Sequence, residues 1–178
     1  WGDLNGQLAA LELGHARLQA LFKAQGLQTV LNALAALRSR AKRMMHAQVA
    51  EIPDGHYAFE DLLDNDGVND EPLTIALDMT VSGEHLTLDF SRTSPHCAGP
   101  VNISEATAVA ACYVALKHLF PQVPANAGVL DAVTFVMPPG RLITAQHPRP
   151  VGGYTETILR MIDVIFSAMA KADPKRAM

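Results

Sequence analysis

Residues 88–102, LDFSRTSPHCAGPVN, gather the side chains that chemistry uses: Ser91, Thr93, Ser94, His96, Cys97 and Asn102. Three roles are open to such a stretch: a catalytic loop, a binding loop, or a turn between a sheet and the next helix. A nucleophile pair at His96–Cys97 fits poorly, because adjacent residues on an extended chain point apart. No two of the seven histidines lie two, three or four positions apart, so local spacing offers no metal site. A site assembled from distant residues, such as His96 with His147, stays open. The acidic run DLLDNDGVNDEP suggests a calcium loop. Placing Gly67 at the sixth position puts Leu62 first and Leu73 twelfth, where carboxylates belong, so the run reads as an acidic surface turn. Gly152 and Gly153 precede a helix start in VGGYTET, an arrangement that suits either an anion or a plain tight turn. No Walker loop, G-x-G-x-x-G, G-x-S-x-G or H-E-x-x-H occurs.

The elements that position the stretch are written in the hydrophobic period. From Leu73 it is two: Leu73, Ile75, Leu77, Met79 and Val81, then a turn at SGEH, then Leu86, Leu88 and Phe90. This predicts a hairpin with one apolar face, with Asp89 on the other face near Asp78. Ser104 caps a helix running to about Leu119, with Val109, Cys112, Tyr113, Leu116 and Phe120 as its inner stripe. Cys112 there is a small core residue. A short strand at 133–136 and the turn PPGRLI follow. A last helix at 155–172 is apolar on a wide face, so it is buried in this domain or against another.

Ahead of the hairpin, residues 3–25 read as an amphipathic helix with Leu4, Leu8, Leu11, Leu18 and Phe22 on one stripe and His15 filling its gap as a core residue. Asp3 is placed to cap it and Gly26 to stop it. A second helix at 27–49 keeps the period, and the two form an antiparallel pair or a sharp bend. Pro53 and Gly55 mark a turn after it. The fold class is therefore α+β: long N-terminal helices, an antiparallel hairpin or sheet, and further helices packed on it.

With 178 residues, 49% hydrophobic and 18% charged, the chain has the balance of a single compact domain or one piece of a larger subunit. A net charge of -4 speaks against nucleic acid as partner, and Arg38, Arg40, Lys42 and Arg43 read as a solvated helix face. No apolar run reaches the roughly 18 residues of a membrane span. Two cysteines without a disulfide or zinc spacing indicate the cytoplasm. The opening at Trp1 rather than methionine predicts an internal fragment.

Six stretches, GDLNGQLAALELGHARL, IPDGHYAFEDLLDNDG, LTLDFSRTSPHCAGPVN, PANAGVLDAV, MPPGRLI and HPRPVGGYTETILRMIDVIFSAMAKADP, occur in an order that resembles the hydantoinase B/oxoprolinase family. These are B-type subunits of ATP-dependent enzymes that open hydantoin, 5-oxoproline and related cyclic amides, with relatives in acetone and acetophenone carboxylases. The resemblance covers all 178 residues but about the middle third of a typical family member. It implies a hydantoinase A-type ATP-binding partner with Mg²⁺, a cyclic-amide substrate, an oligomeric assembly, and a divalent metal held by histidines and aspartates ahead of Gly2. The fragment alone is then inactive, with no metal ligand and no cofactor of its own. The family segment D-F-[ST]-G-[ST]-x-x-Q-x-x-G-x-x-N is carried by Asp89, Phe90, Ser91, Thr93, Ser94, Gly99 and Asn102. Arg92 replaces its glycine and His96 stands near its glutamine; a left-handed backbone at Arg92 would cost about 1 kcal/mol. Pro124, Asn126 and Gly128 resemble P-x-N-x-G. The resemblance thus assigns Thr93, Ser94, His96, Asn102 and Asn126 to substrate binding and leaves the catalytic residues unassigned. Two alternatives stand beside it: a non-catalytic subunit-interaction domain, and a fragment of a ketone carboxylase.

Overall fold

The computed structural model of the protein describes residues 1–176. They divide into two compact units, Trp1–Arg40 and the chain from Ala41 onward. The first consists of α1 (Gly2–Gln25) and the opening of α2 (Leu27–Val49). Leu4, Leu8, Leu11, Leu18, Leu27, Leu31 and Leu34 are all exposed, and no residue of α1 is buried. The leucine stripe is therefore not a core, and His15, exposed within it, is not a core histidine. Of the two expected arrangements, an antiparallel pair or a sharp bend, the described residues show no packed pair between α1 and α2. The helices break at Gly26, whose φ of 81° only glycine adopts without strain. The cap also differs from expectation. The helix starts one residue earlier, with Trp1 at the N-cap, so Asp3 lies inside the first turn, where its charge still suits the helix dipole.

The second unit is built on a four-stranded sheet in the order β1-β2-β3-β4. Its strands are β1 (Gly55–Leu63), β2 (Leu73–Ser82), β3 (His85–Asp89) and β4 (Val133–Val136). The hairpin β2–β3 has the predicted alternation, with Ile75, Leu77, Met79, Val81, Leu86 and Leu88 buried on one face. Asp78 and Asp89 face each other across the strands on the other face, as the period-two pattern requires. β1 pairs antiparallel with β2, and β4 runs parallel to β3, so the sheet is mixed.

Helices α3 (Glu105–Leu119) and α4 (Tyr154–Ala172) complete the unit. Ser104 caps α3 as expected, its hydroxyl accepting from the Thr107 N–H. α4 packs on β1 and β2, and α3 packs on α4. Met161, Val164, Ile165, Ala168 and Met169 of α4 join the buried strand residues, Cys112 and Phe120 in one core. Ala41, Met45 and Val49 of the distal half of α2 belong to the same core. Burial raises the Cys112 thiol to about 12, so it stays protonated as a packing group.

Candidate functional site

β3 ends at Asp89 while β2 continues on its other flank, leaving backbone groups of Thr74 and Ala76 without a strand partner on that side. The polar loop supplies the partners. Thr93, fully buried, accepts from the Ala76 N–H and donates to the Ala76 carbonyl, both at 3.2 Å. The Ser94 hydroxyl accepts from the Thr74 N–H at 2.9 Å, and the Ser94 N–H donates to the Thr74 carbonyl. On its far side the loop bonds to residues 140–142: the His96 N–H donates to the Gly140 carbonyl and the Leu142 N–H to that of Ser94. Arg141 adds a bond from its guanidinium to the Thr93 carbonyl. The loop is thus held on both flanks, and the two hydroxyls act as a substitute strand.

Its distal half closes around Asn102, which has no exposed surface. The Asn102 carbonyl oxygen accepts from the Cys97 N–H at 2.9 Å. Its amide nitrogen donates to the carbonyls of Cys97, Gly99 and Pro150 at 3.1, 2.8 and 3.0 Å. All of its side-chain hydrogen-bonding groups are thereby engaged by the protein. Thr157, buried in α4, donates to the Val101 carbonyl, and the Gly153 N–H donates to that of Pro100. The two glycines of VGGYTET therefore form part of a tight junction: a Cβ on Gly153 would crowd the Pro100 carbonyl.

Asp66 ties a third segment to this knot. It is 2% exposed, although its neighbours at 64–65 and 67–72 are exposed as the acidic surface turn predicts. One carboxylate oxygen accepts from the N–H groups of Val68 and Asn69, and the other from the Gly99 N–H at 2.9 Å. Donation from Asn69 and Gly99 holds its carboxyl well below the usual range, against the opposing effect of burial. The approach requires glycine at position 99, because a Cβ there would overlap the Asp66 carbonyl. Beside it, burial and the Asp66 charge push the Cys97 thiol up, which disfavours the thiolate a nucleophile needs.

His96 stands differently. Its ring lines a cleft of about 360 Å³ between the 66–73 segment and residues 94–98. Its Nδ1 is shielded from solvent and has no hydrogen-bond partner. Asn126 does not join the group. It caps the short 3₁₀ turn Ala127–Ala132 by accepting from the Gly128 N–H, and that turn enters β4 at the end of the sheet where β3 begins. Arg92 has no left-handed backbone, since no described residue other than glycine has a positive φ. It lies across the open face of the sheet, bidentate to Asp78 at 2.7 and 3.1 Å and bonded to Glu60 at 2.9 Å. That cation offsets the Asp78–Asp89 pairing and lowers the Asp78 pKa. Among the described residues no group of three His, Cys, Asp or Glu could hold a metal ion, and no helix is long and apolar enough to cross a membrane.

Sequence reasoning missed Asp66 and Gly99 as partners, and it missed β1. The signal for the clamp was present as N-D-G and C-A-G, but each motif alone denotes only a turn.

All residues, 1–178, match the family model described as Hydantoinase B/oxoprolinase, and the chain belongs to that family. It is 29% identical over 185 residues to a protein of Pseudomonas sp. (strain NS671) named, provisionally, as the B-type component of a D-/L-hydantoinase. The match covers 97% of this chain and 31% of that protein. The 5-oxoprolinase of Saccharomyces cerevisiae is 29% identical over 177 residues, covering 94% of this chain and 14% of the yeast protein. The crystal structure of the ATP-dependent caprolactamase from Pseudomonas jessenii superposes with a TM-score of 0.83 at 27% identity. It covers 98% of this chain and 31% of that one, so the chain spans less than a third of the length of these relatives.

Proposed function

We propose that this chain is part of the B-type component of an ATP-dependent hydrolase of cyclic amides. The observation that carries the reading is the full-length family match together with three relatives named for hydantoin, 5-oxoproline and caprolactam chemistry. A cyclic amide resists water because resonance lowers the electrophilicity of its carbonyl carbon. In the proposed scheme an A-type partner, with ATP and Mg²⁺, phosphorylates the ring carbonyl oxygen. Water then adds to the activated carbon, the ring C–N bond breaks with its electron pair and a proton going to the nitrogen, and a second water cleaves the resulting acyl phosphate to a carboxylate and inorganic phosphate. The described residues form no three-ligand cluster, so no step is assigned to a metal on this chain; the family resemblance is what implies a divalent metal held by another part of the intact protein. The oligomer works in the cytoplasm.

Within this scheme Thr93, Ser94 and Asn102 position the pocket wall, their polar groups already engaged by backbone. His96, which lines the cleft, is the substrate-facing member. Asn126 shapes the approach to β4. The test is an assay of the intact subunit with its A-type partner on hydantoin, 2-pyrrolidinone, 5-oxoproline and caprolactam. Ring opening coupled to ADP release is expected for at least one. No ring opening and no ring-stimulated ATP hydrolysis would overturn the reading.

A further inference from the structure

No two histidines are spaced for a local metal site, but the fold brings two together from different elements: His46 of α2 and His85, the first residue of β3. Their ring centroids lie 5.7 Å apart, with the ring planes at 79°. Two imidazoles that share one ion at bond lengths of about 2.0–2.1 Å have centroids roughly 5 Å apart, so a small side-chain rotation brings the pair to that arrangement. His85 is exposed, so its ring can turn without repacking the core. The two rings are not equivalent. His46 Nδ1 lies 2.8 Å from the Glu84 carbonyl oxygen. A carbonyl only accepts, so Nδ1 carries the proton and the neutral ring keeps its lone pair on Nε2, the atom left for a metal. A backbone carbonyl behind the ring is also the usual support of a metal-binding histidine, fixing its tautomer and its orientation. Both flanks of the pair are anchored. His46 follows Met45, which is fully buried in the core. The turn ahead of His85 is tied down where the Gly83 N–H donates to the Asp54 carboxylate at 2.7 Å.

The geometry points to a two-histidine site for a divalent transition ion where α2 meets the β2–β3 turn, with His46 and His85 as its protein ligands. Imidazole donors select nickel, copper or zinc over magnesium and calcium, which require oxygen ligands. Among the described residues no third His, Cys, Asp or Glu completes the set, so the remaining positions belong to water or to a donor from another molecule. Such an ion exchanges readily with solution. The site uses none of the residues assigned to the His96 cleft and does not depend on the cyclic-amide reading.

The test titrates Ni²⁺ into the chain, free of any metal-affinity tag, while the histidine ring signals are followed by NMR. Ni²⁺ is paramagnetic, so the ligating rings broaden first. Saturable loss of the His46 and His85 signals is expected ahead of those of His15, His56, His96, His118 and His147. His85→Ala should weaken Ni²⁺ binding about tenfold or more, because a single imidazole cannot chelate. Its metal-free melting temperature should stay that of the unsubstituted chain, since His85 is exposed. His46→Ala should weaken binding as well, whereas His56→Ala, which removes an exposed ring beside Asp78, should leave it unchanged. Zn²⁺ should displace Ni²⁺ and Mg²⁺ at equal concentration should not. Broadening of all the histidine rings alike, Ni²⁺ affinity unmoved by His85→Ala, or displacement by Mg²⁺ as effective as by Zn²⁺ would each overturn the assignment.

Discussion

The loop at 91–102 and helix α1 invert the usual relation between polarity and burial. In the loop, Thr93 and Asn102 are wholly inside and both side-chain polar groups of Asn102 meet backbone. In α1, six leucines lie at least 44% open to solvent and no residue is buried. Apolar residues on a surface are common, but a contiguous run of them marks a face that another surface covers. Buried amides and hydroxyls are rarer, and they persist only where each donor and acceptor is satisfied. The difference teaches that residue chemistry alone does not say which region is scaffold. The polar loop is the more tightly determined of the two, and the apolar helix has no determinant within its own unit.

Substitutions can break or sharpen that contrast. The largest effect belongs to Gly99→Ala, which drives a methyl into the Asp66 carbonyl and must separate two loops. A loss of about 3–5 kcal/mol in urea unfolding is expected, and a loss below about 1 kcal/mol would mean the clamp yields easily. Asn102→Ala takes a partner from one N–H and three carbonyls, and should lower stability by about 2–3 kcal/mol. In the intact subunit its turnover should fall as well, at temperatures where the variant stays folded; unchanged turnover would make the loop a scaffold only.

The Asp66 clamp should also be visible in acid. Its folded-state pKa lies below the ordinary 3.8, so its stabilisation is fully present above the unfolded value and is lost as pH falls beneath it. The stability gap between the protein and Asp66→Asn should therefore be constant near neutrality and shrink as pH drops below about 4. Thermal melts across that range decide it, and a gap that widens in acid would contradict the assignment. Smaller still is Arg92→Ala, which removes half-exposed ion pairs to Asp78 and Glu60. A change within about 1 kcal/mol that fades in high salt is expected. At the bottom of the scale, Leu11→Gln in α1, at a residue 70% exposed, should shift stability by no more than about 0.5 kcal/mol.

The legible parts of the fold were those with an internal period. The β2–β3 hairpin and the cap at Ser104 could be read because alternation and hydroxyl capping are local properties. Strand β1 was hidden because GHYAFEDLL places half-buried aromatics beside acids and follows a Pro–Asp–Gly turn. As an edge strand it has a neighbour on one side only, so its sequence is less constrained than that of β2. The leucines of α1 carried a helical period and formed the predicted helix, but a period does not specify what covers it. At the candidate site, Asn102 stood out as an anchor from its chemistry, while its burial did not. Asp66 could not be found by inspection, since its role depends on a glycine 33 residues away.

That separation has a kinetic side. The contacts that close the loop span 33 residues from Gly99 to Asp66, 48 from Asn102 to Pro150 and 56 from Thr157 to Val101. Each closure fixes a long stretch of chain before any hydrogen bond compensates for the lost entropy, so such contacts form late on the folding path. The loop should complete only after β2 and the start of α4 are in place. The same property holds in the native state: residues 97–102 are held at once by Asp66, Pro150 and Thr157, so freeing the Gly99 N–H means breaking several long-range contacts together. Its amide proton should therefore exchange with solvent at nearly the rate set by global unfolding, as a strand at the centre of the sheet would, although it sits in a loop.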